Sequence, residues 1–363
     1  MAAMRNDHGP FTFVMAGGGT GGHVIPSLAV ARELKQIGHQ VFFIGTRQGM
    51  EAQLVPAAGF PIDWIDISGL KRVGWRQTLS TMLKLPSSLW AARRFLLKDK
   101  AAAVFSMGGY VAAPVMAAAR MLALPMTIME PNAIPGVTNR RLGRMARKVL
   151  LTFEDAKRYF PRQNVEVTGL PVRQEFFAIP NKPASARLTV LVTGGSQGSQ
   201  TLNRACEQAW PALKESRIRL IHQTGATHFE EIAVRFSRAG VDGRVVPFIP
   251  DMPKTFSDVD VVVCRSGAGA VSELAAAGKP SILVPFPYAA DDHQAKNAQA
   301  LERIGAARFI RDHDMTGERL IQELAALTPQ KLEQMSAAAR TFAKPGAARR
   351  AAEILIEMAV ARR

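Results

Sequence analysis

The chain has 363 residues, 47% of them hydrophobic and 21% charged, which excludes a disordered or fibrous protein and leaves room for two globular domains rather than one core. Two cysteines, Cys206 and Cys264, are too few for a disulfide framework or a cysteine-rich zinc site. The net charge of +16, concentrated before Leu170, calls for an anionic partner: nucleic acid, an acidic membrane surface or a phosphorylated substrate.

The first ten residues are polar and lack the apolar core of a signal peptide. Phe11 to Ala16 predicts a short buried strand. It runs into the loop Gly17-Gly18-Gly19-Thr20-Gly21-Gly22-His23. Pro26 to Ile37 has helical spacing, Gly38 stops it, and Val41 to Ile44 predicts the next strand. Strand, glycine loop, helix and strand in that order are the unit of a parallel sheet. The stretch from Tyr110 to Met129 is the most apolar, but Arg120 sits in its middle and Pro114 and Pro125 interrupt it. A central arginine is costly in lipid, so this segment predicts a buried Ala-rich helix and a strand rather than a membrane span.

The pattern returns in the second half. Leu188 to Val192 predicts a strand, Thr193 to Ser199 a second glycine loop, and Thr201 to Leu213 a helix. Two doubly wound α/β domains are therefore expected, spanning 1–172 and 187–345. The boundary falls in Pro171 to Ala186, which carries three prolines. Gly346 to Arg363 closes the chain as an amphipathic helix, with Ala351, Ile354, Leu355, Met358 and Ala359 on one face. In such folds ligands bind at the carboxyl ends of the strands, so the cleft between the domains is the expected site.

Glycine loops after strands let backbone N–H groups reach anionic oxygens, with the following helix dipole favouring negative charge. Each loop could equally be only a tight turn. Neither carries the Lys-Ser/Thr of a P-loop. The strand after the first helix ends at Gly45-Thr46-Arg47, without the acid of a dinucleotide fold. A third segment says more. The apolar run Val259 to Cys264 leads into Arg265-Ser266-Gly267-Ala268-Gly269-Ala270-Val271-Ser272-Glu273, where the Gly-Ala-Gly turn lets a nucleotide lie against backbone. Glu273, about one helical turn further on, can accept both ribose hydroxyls. After the next strand, Pro285 to Ala298 is densely polar. Gln294 and Asn297 stand three apart, and amides at that spacing suit sugar hydroxyls. Asp258-Val259-Asp260 matches the Asp-x-Asp of metal-dependent sugar transferases, but Asp260 enters an apolar strand and a structural role is expected; no metal and no cofactor are implied. With three Tyr, four Trp and no basic stripe interleaved with aromatics, nucleic acid is not an expected partner.

Taken together, Gly18 to His23 with Pro26, Ser106 to Tyr110, Glu130 to Asn139, Gly169 to Arg173, Gly194 to Gly198, Cys264 to Glu273 and Asp292 to Ala298 resemble the MurG family of glycosyltransferases, over most of the chain. Pro131 departs from it, standing where relatives often have Gln. The resemblance implies a GT-B fold, with the donor UDP-N-acetylglucosamine on the C-terminal domain, the acceptor on the N-terminal one, and the last helix packed back on the N-terminal domain. It implies inverting transfer to the 4-hydroxyl of MurNAc in undecaprenyl-linked lipid I. The setting would be the cytoplasmic face of the membrane, alongside other cell-wall synthesis proteins. Glu273 would hold the ribose, and Gln294 and Asn297 the sugar. Ser196 and Arg173 would face the diphosphate, while Ile249 and Arg265 would flank the uracil. Thr20, Gly21, Gly22 and Asn132 would reach the donor sugar or the acceptor diphosphate. His23 is the expected base, with Glu130 as the alternative. Two other readings stay open on sequence: a GT-B transferase acting on a different lipid, and a non-catalytic UDP-sugar-binding subunit. A membrane-docking face is expected where Lys71, Arg72, Arg76, Lys84, Arg93 and Arg94 alternate with Leu70, Trp75, Leu79, Met82, Leu83, Leu85, Leu89 and Trp90. Arg140, Arg141, Arg144, Arg147 and Lys148 form a second basic cluster.

Overall fold

The structure, a computed structural model, describes residues 9–67, 75–180, 182 and 187–362, those of 75–83 by their backbone alone. The chain divides into two compact units, one of residues 1–172 with 346–363 and one of residues 173–345.

Among the described residues unit 1 has seven parallel strands: β1 (Thr12–Gly17), β2 (Gln40–Gly45), β3 (Ile62–Trp64), β4 (Ala103–Gly108), β5 (Met126–Glu130), β6 (Lys148–Leu151) and β7 (Val165–Val167), in the order β3-β2-β1-β4-β5-β6-β7. Unit 2 has six: β8 (Leu188–Thr193), β9 (Ile218–Gln223), β10 (Gly243–Val246), β11 (Val261–Cys264), β12 (Ser281–Leu283) and β13 (Ala307–Phe309), in the order β10-β9-β8-β11-β12-β13. The central strands are continuous apolar runs because helices cover both faces of a parallel sheet; Val261 to Cys264 is buried at every position. In each unit the strand order reverses once, between β1 and β4 and between β8 and β11. Such a reversal point is the place where open α/β sheets bind ligands.

The first helix differs from its sequence expectation. It spans Gly21–Gln36 rather than starting at Pro26, because Thr20 is extended and its carbonyl accepts from the N–H groups of His23 and Val24, at 3.1 and 3.2 Å. Gly21 to His23 thus form its first turn. Tyr110 to Met129 resolves into the helix Ala112–Met121 and β5, with Arg120 exposed on the last helical turn. The closing helix Ala347–Val360 belongs to unit 1. It buries Ala351, Ile354, Leu355, Met358 and Ala359, and Arg350 pairs with Glu166 at 2.7 Å. No helix among the described residues is long and apolar enough to cross a membrane.

Candidate functional site

In unit 2, β8 and β11 pair from Val190–Val261 to Thr193–Cys264, so their loops emerge side by side. The β8 loop is tightly braced. The Thr193 hydroxyl donates to the Gln223 amide oxygen and accepts from Gly195 N–H at 3.1 Å, and Gln223 Nε2 donates to the Gly195 carbonyl at 3.0 Å. At Gly198, with φ of +75°, a Cβ would lie 2.0 Å from the Thr224 carbonyl, so only glycine fits. Beneath, Asn203 donates to the Thr224 carbonyl at 3.0 Å and bonds the buried His222 ring, whose pKa burial lowers to about 4. The Gly195 and Gly198 amides are spent inside the loop, the latter on the Gly195 carbonyl at 2.9 Å. The loop's outward face is exposed at Ser196 and Gln197, which narrows the anion-facing amides expected along Gly195 to Gly198.

Arg265 acts as a clasp. Its guanidinium donates to Ser199 Oγ at 2.6 Å, to the carbonyls of Val284 and Pro285 at 3.1 and 2.9 Å, and to Asp312. It therefore fixes the β8, β11 and β12 loops relative to one another, and Ser199 caps the helix Gln200–Lys214. The helix Ala268–Ala276 opens above β11. Nothing lies within 4 Å of a Cβ built on Gly269, and Gln294 Nε2 at 4.0 Å is the near neighbour of one built on Gly267. That is the open approach to backbone a nucleotide needs. Helical periodicity divides Ala268 to Glu273: Ala268, Val271 and Ser272 face the core, whereas Gly269, Ala270 and Glu273 face outward. Ala268, Val271 and Ser272 could meet a ligand only through their backbone. Burial pushes the Glu273 carboxyl up to about 7, against the pull of the Arg173 guanidinium, which stacks 4.9 Å from the Phe176 ring centroid.

Gln294 is half-buried; its amide oxygen accepts from Phe286 N–H at 2.9 Å, leaving the Nε2 end toward Gly267. Asn297 is fully buried and donates to the Ser266 carbonyl at 3.1 Å, so it holds the turn from beneath instead of meeting sugar at the surface. Ile249 is likewise a buried core residue, 8% exposed. Asp260 accepts from Thr189 N–H at 2.7 Å and pairs with Lys182 at 2.8 Å, a structural use.

In unit 1 the loops after β1 and β4 meet where Gly17 pairs with Gly108. His23 Nδ1 lies 3.3 Å from the Gly18 carbonyl, and a Cβ on Gly109 would sit 3.6 Å from that nitrogen. A carbonyl only accepts, so Nδ1 carries the proton and Nε2 of the neutral ring is unprotonated, the form a general base requires. Thr20 and Gly22 are exposed and Gly21 half-buried. Glu130, the alternative base, is enclosed at 1% exposure. One oxygen accepts from Asn132 N–H at 2.9 Å and Asn132 Nδ2 at 3.3 Å, the other from Asn139 Nδ2 at 2.8 Å. Burial raises it to about 7, and its oxygens brace the 132–139 loop.

Sequence reasoning missed Glu51. It is completely buried. Its carboxylate accepts from Gly19 N–H at 2.8 Å, from Thr46 N–H at 3.0 Å and from the Thr46 hydroxyl at 2.8 Å; that hydroxyl also lies 3.1 Å from Tyr110 OH. A Cβ on Gly18, Gly45 or Gly49 would strike this side chain at 2.0–2.7 Å. One carboxylate thus ties the β1 and β2 loops together and, through Thr46, the β4 loop. The hint in the sequence was an acid among three glycines, which no local pattern joins.

The glycosyltransferase family 28 N-terminal domain matches residues 13–151 and the C-terminal domain residues 189–351. A UDP-N-acetylglucosamine--N-acetylmuramyl-(pentapeptide) pyrophosphoryl-undecaprenol N-acetylglucosamine transferase of Solibacter usitatus is 56% identical over 96% of each chain. The protein of the same name from Methylococcus capsulatus is 44% identical over 95% of this chain and 98% of its own. The crystal structure of Acinetobacter baumannii MurG superposes with a TM-score of 0.82 at 36% identity, covering 96% of this chain and 100% of that one. With two Rossmann-like sheets of GT-B type, both domains matched and relatives this similar along nearly the whole length, the chain belongs to glycosyltransferase family 28 and, within it, to the MurG family.

Proposed function

We propose that this enzyme transfers N-acetylglucosamine from UDP-N-acetylglucosamine to the 4-hydroxyl of the N-acetylmuramyl residue of lipid I, giving lipid II and UDP. Unit 2 is the donor side and unit 1 the acceptor side. The observation that carries the reading is the donor half-site: open backbone at Gly267 and Gly269, Glu273 beside it, and the Gln294 amide above. In the displacement the acceptor oxygen bonds to the anomeric carbon, the bond to the UDP oxygen breaks, and the hydroxyl proton passes to a base, His23. Negative charge grows on the departing diphosphate, where exposed loop amides and Arg173 can stabilise it. Release of UDP in the presence of a lipid I analogue, and not with diacylglycerol, tests the assignment; hydrolysis-level release with both would sink it.

Glu273 gives this reading a pH signature. Its folded pKa of about 7 lies above the ordinary glutamate value of 4.5, so unit 2 favours the protonated form and ionisation costs it stability as pH rises between the two values. Ribose hydroxyls donate, so the donor binds the carboxylate. Affinity for UDP-N-acetylglucosamine is expected to tighten about tenfold from pH 6 to pH 8, since the sugar nucleotide has no titrating group there. Glu273→Gln should flatten that profile, and Glu273→Ala should weaken binding by about 1–3 kcal/mol. Calorimetric titration reads both, and a wild-type profile in the Gln variant would remove Glu273 from the ribose.

A lipid-linked acceptor stays in the bilayer, and we place the enzyme peripherally on the anionic membrane surface. Of the expected docking face, Leu70, Lys71 and Arg72 lie outside the described residues, as do the side chains of Trp75, Arg76, Leu79, Met82 and Leu83. Among those described, Trp90 is 62% exposed with Arg93 5.5 Å from its ring centroid, and Arg120, Arg144, Arg147 and Arg362 line a hollow beside the exposed Met145. Cations beside exposed apolar groups support docking at a headgroup boundary, each worth about 1 kcal/mol near anionic lipid. Charge reversal at Arg93, Arg94, Arg144 and Arg147 should abolish cosedimentation with phosphatidylglycerol vesicles while sparing affinity for UDP-N-acetylglucosamine. Unchanged sedimentation would move the docking face elsewhere.

A further inference from the structure

Unit 2 has a hollow of about 1060 Å³ at the amino ends of its inner strands, opposite the glycine loops. Its floor is made where strands begin: Leu188 opens β8, Ile218 opens β9, and Asp260 and Lys279 lead into β11 and β12. The helices Gly317–Ala325 and Pro329–Phe342 form the facing wall, with Ile321, Leu324 and Leu332 giving it an apolar surface. Lys279 lines this hollow at only 4% exposure. Its Nζ donates to the Val259 carbonyl at 2.9 Å, and no carboxylate stands within ion-pair distance of it among the described residues. The nearby Asp260 is committed to Lys182 and Thr189 N–H. Arg340 brings a second cation to the same hollow, held by the carbonyls of Ile179 and Ala277 at 3.0 and 3.4 Å.

An ammonium taken out of water with one carbonyl and no carboxylate at ion-pair distance is an unfavourable arrangement, and burial lowers the Lys279 pKa to about 8 against the longer-range pull of Asp260. An entering anion would supply the missing charge, while the apolar wall would take up a hydrocarbon or aromatic body. We propose that this hollow is a binding site for an amphipathic monoanion, its acidic head against Lys279 and Arg340 and its apolar body against Ile321, Leu324 and Leu332. None of the donor-loop residues lines it, so the inference stands apart from the proposed reaction.

The probe is 1-anilinonaphthalene-8-sulfonate, titrated by fluorescence into the full chain with saturating UDP present to block the nucleotide site. One saturable site is expected, at least tenfold tighter than for the uncharged N-phenyl-1-naphthylamine. Lys279→Met should erase that preference. Ala337→Trp, which fills the hollow from an exposed wall position, should abolish binding while UDP release from UDP-N-acetylglucosamine in the presence of a lipid I analogue stays unchanged. Binding eliminated by UDP, equal binding of the neutral probe, or wild-type binding by Ala337→Trp would each overturn the proposal; the Trp variant keeps the test sound if Lys279→Met does not fold.

Discussion

Glu51→Ala is expected to destabilise unit 1 by about 3–5 kcal/mol, because the substitution strands the Gly19 and Thr46 N–H groups and the Thr46 hydroxyl without their acceptor, at about 1–3 kcal/mol for each buried group. It also empties the space that Gly18, Gly45 and Gly49 leave for the side chain. Two units need not unfold together, so denaturation should be followed by hydrogen exchange resolved along the chain. Protection should fall in β1, β2 and the first helix and persist in β8 and β11. The same variant should lose transfer activity through the acceptor-side loops while still binding UDP-N-acetylglucosamine. Glu51→Gln separates charge from shape. It keeps the volume and one oxygen but turns an NH₂ toward donors, so it should recover less than half of the lost stability. Wild-type stability in Glu51→Ala would show that the loops hold without this carboxylate.

His23→Ala should lower kcat by about 10²–10³-fold with little change in donor affinity, the loss expected for a positioned general base. The tautomer is the reason: Nδ1 donates to the Gly18 carbonyl, which orients the ring and leaves Nε2 unprotonated. His23→Asn distinguishes base from brace. An asparagine amide can still donate to Gly18 but offers nothing in place of Nε2. If His23 takes the acceptor proton, the Asn variant is as slow as the Ala variant and the limb of the pH–rate profile set by base protonation disappears. If Asn restores kcat, the histidine only holds the loop. Glu130 holds Asn132 and Asn139 through its oxygens, so Glu130→Gln should disturb the 132–139 loop before it disturbs chemistry.

By itself the sequence determined the features that repeat locally. Apolar runs such as Val261 to Cys264 must be strands covered on both faces. The glycine loops that follow strands, and the period of the last helix, gave the two α/β units and the order of their parts. The motifs also pointed to the donor half-site, since Gly267, Gly269, Glu273 and Gln294 lie within one short stretch whose spacing is itself the geometry. Only tertiary structure decided which side chains in that stretch face a ligand. Val271 and Asn297 share its motifs, yet they point into the core, because a helix shows one face outward and hides the next. Tertiary structure also gave Arg265 its clasp, since its partners Ser199 and Asp312 are remote in sequence, whereas Glu130 finds Asn132 and Asn139 within its own motif. Glu51 is the extreme case. A carboxylate becomes a hub only when the strand order β2-β1-β4 brings three loops to one point, and no periodicity along the chain encodes that convergence.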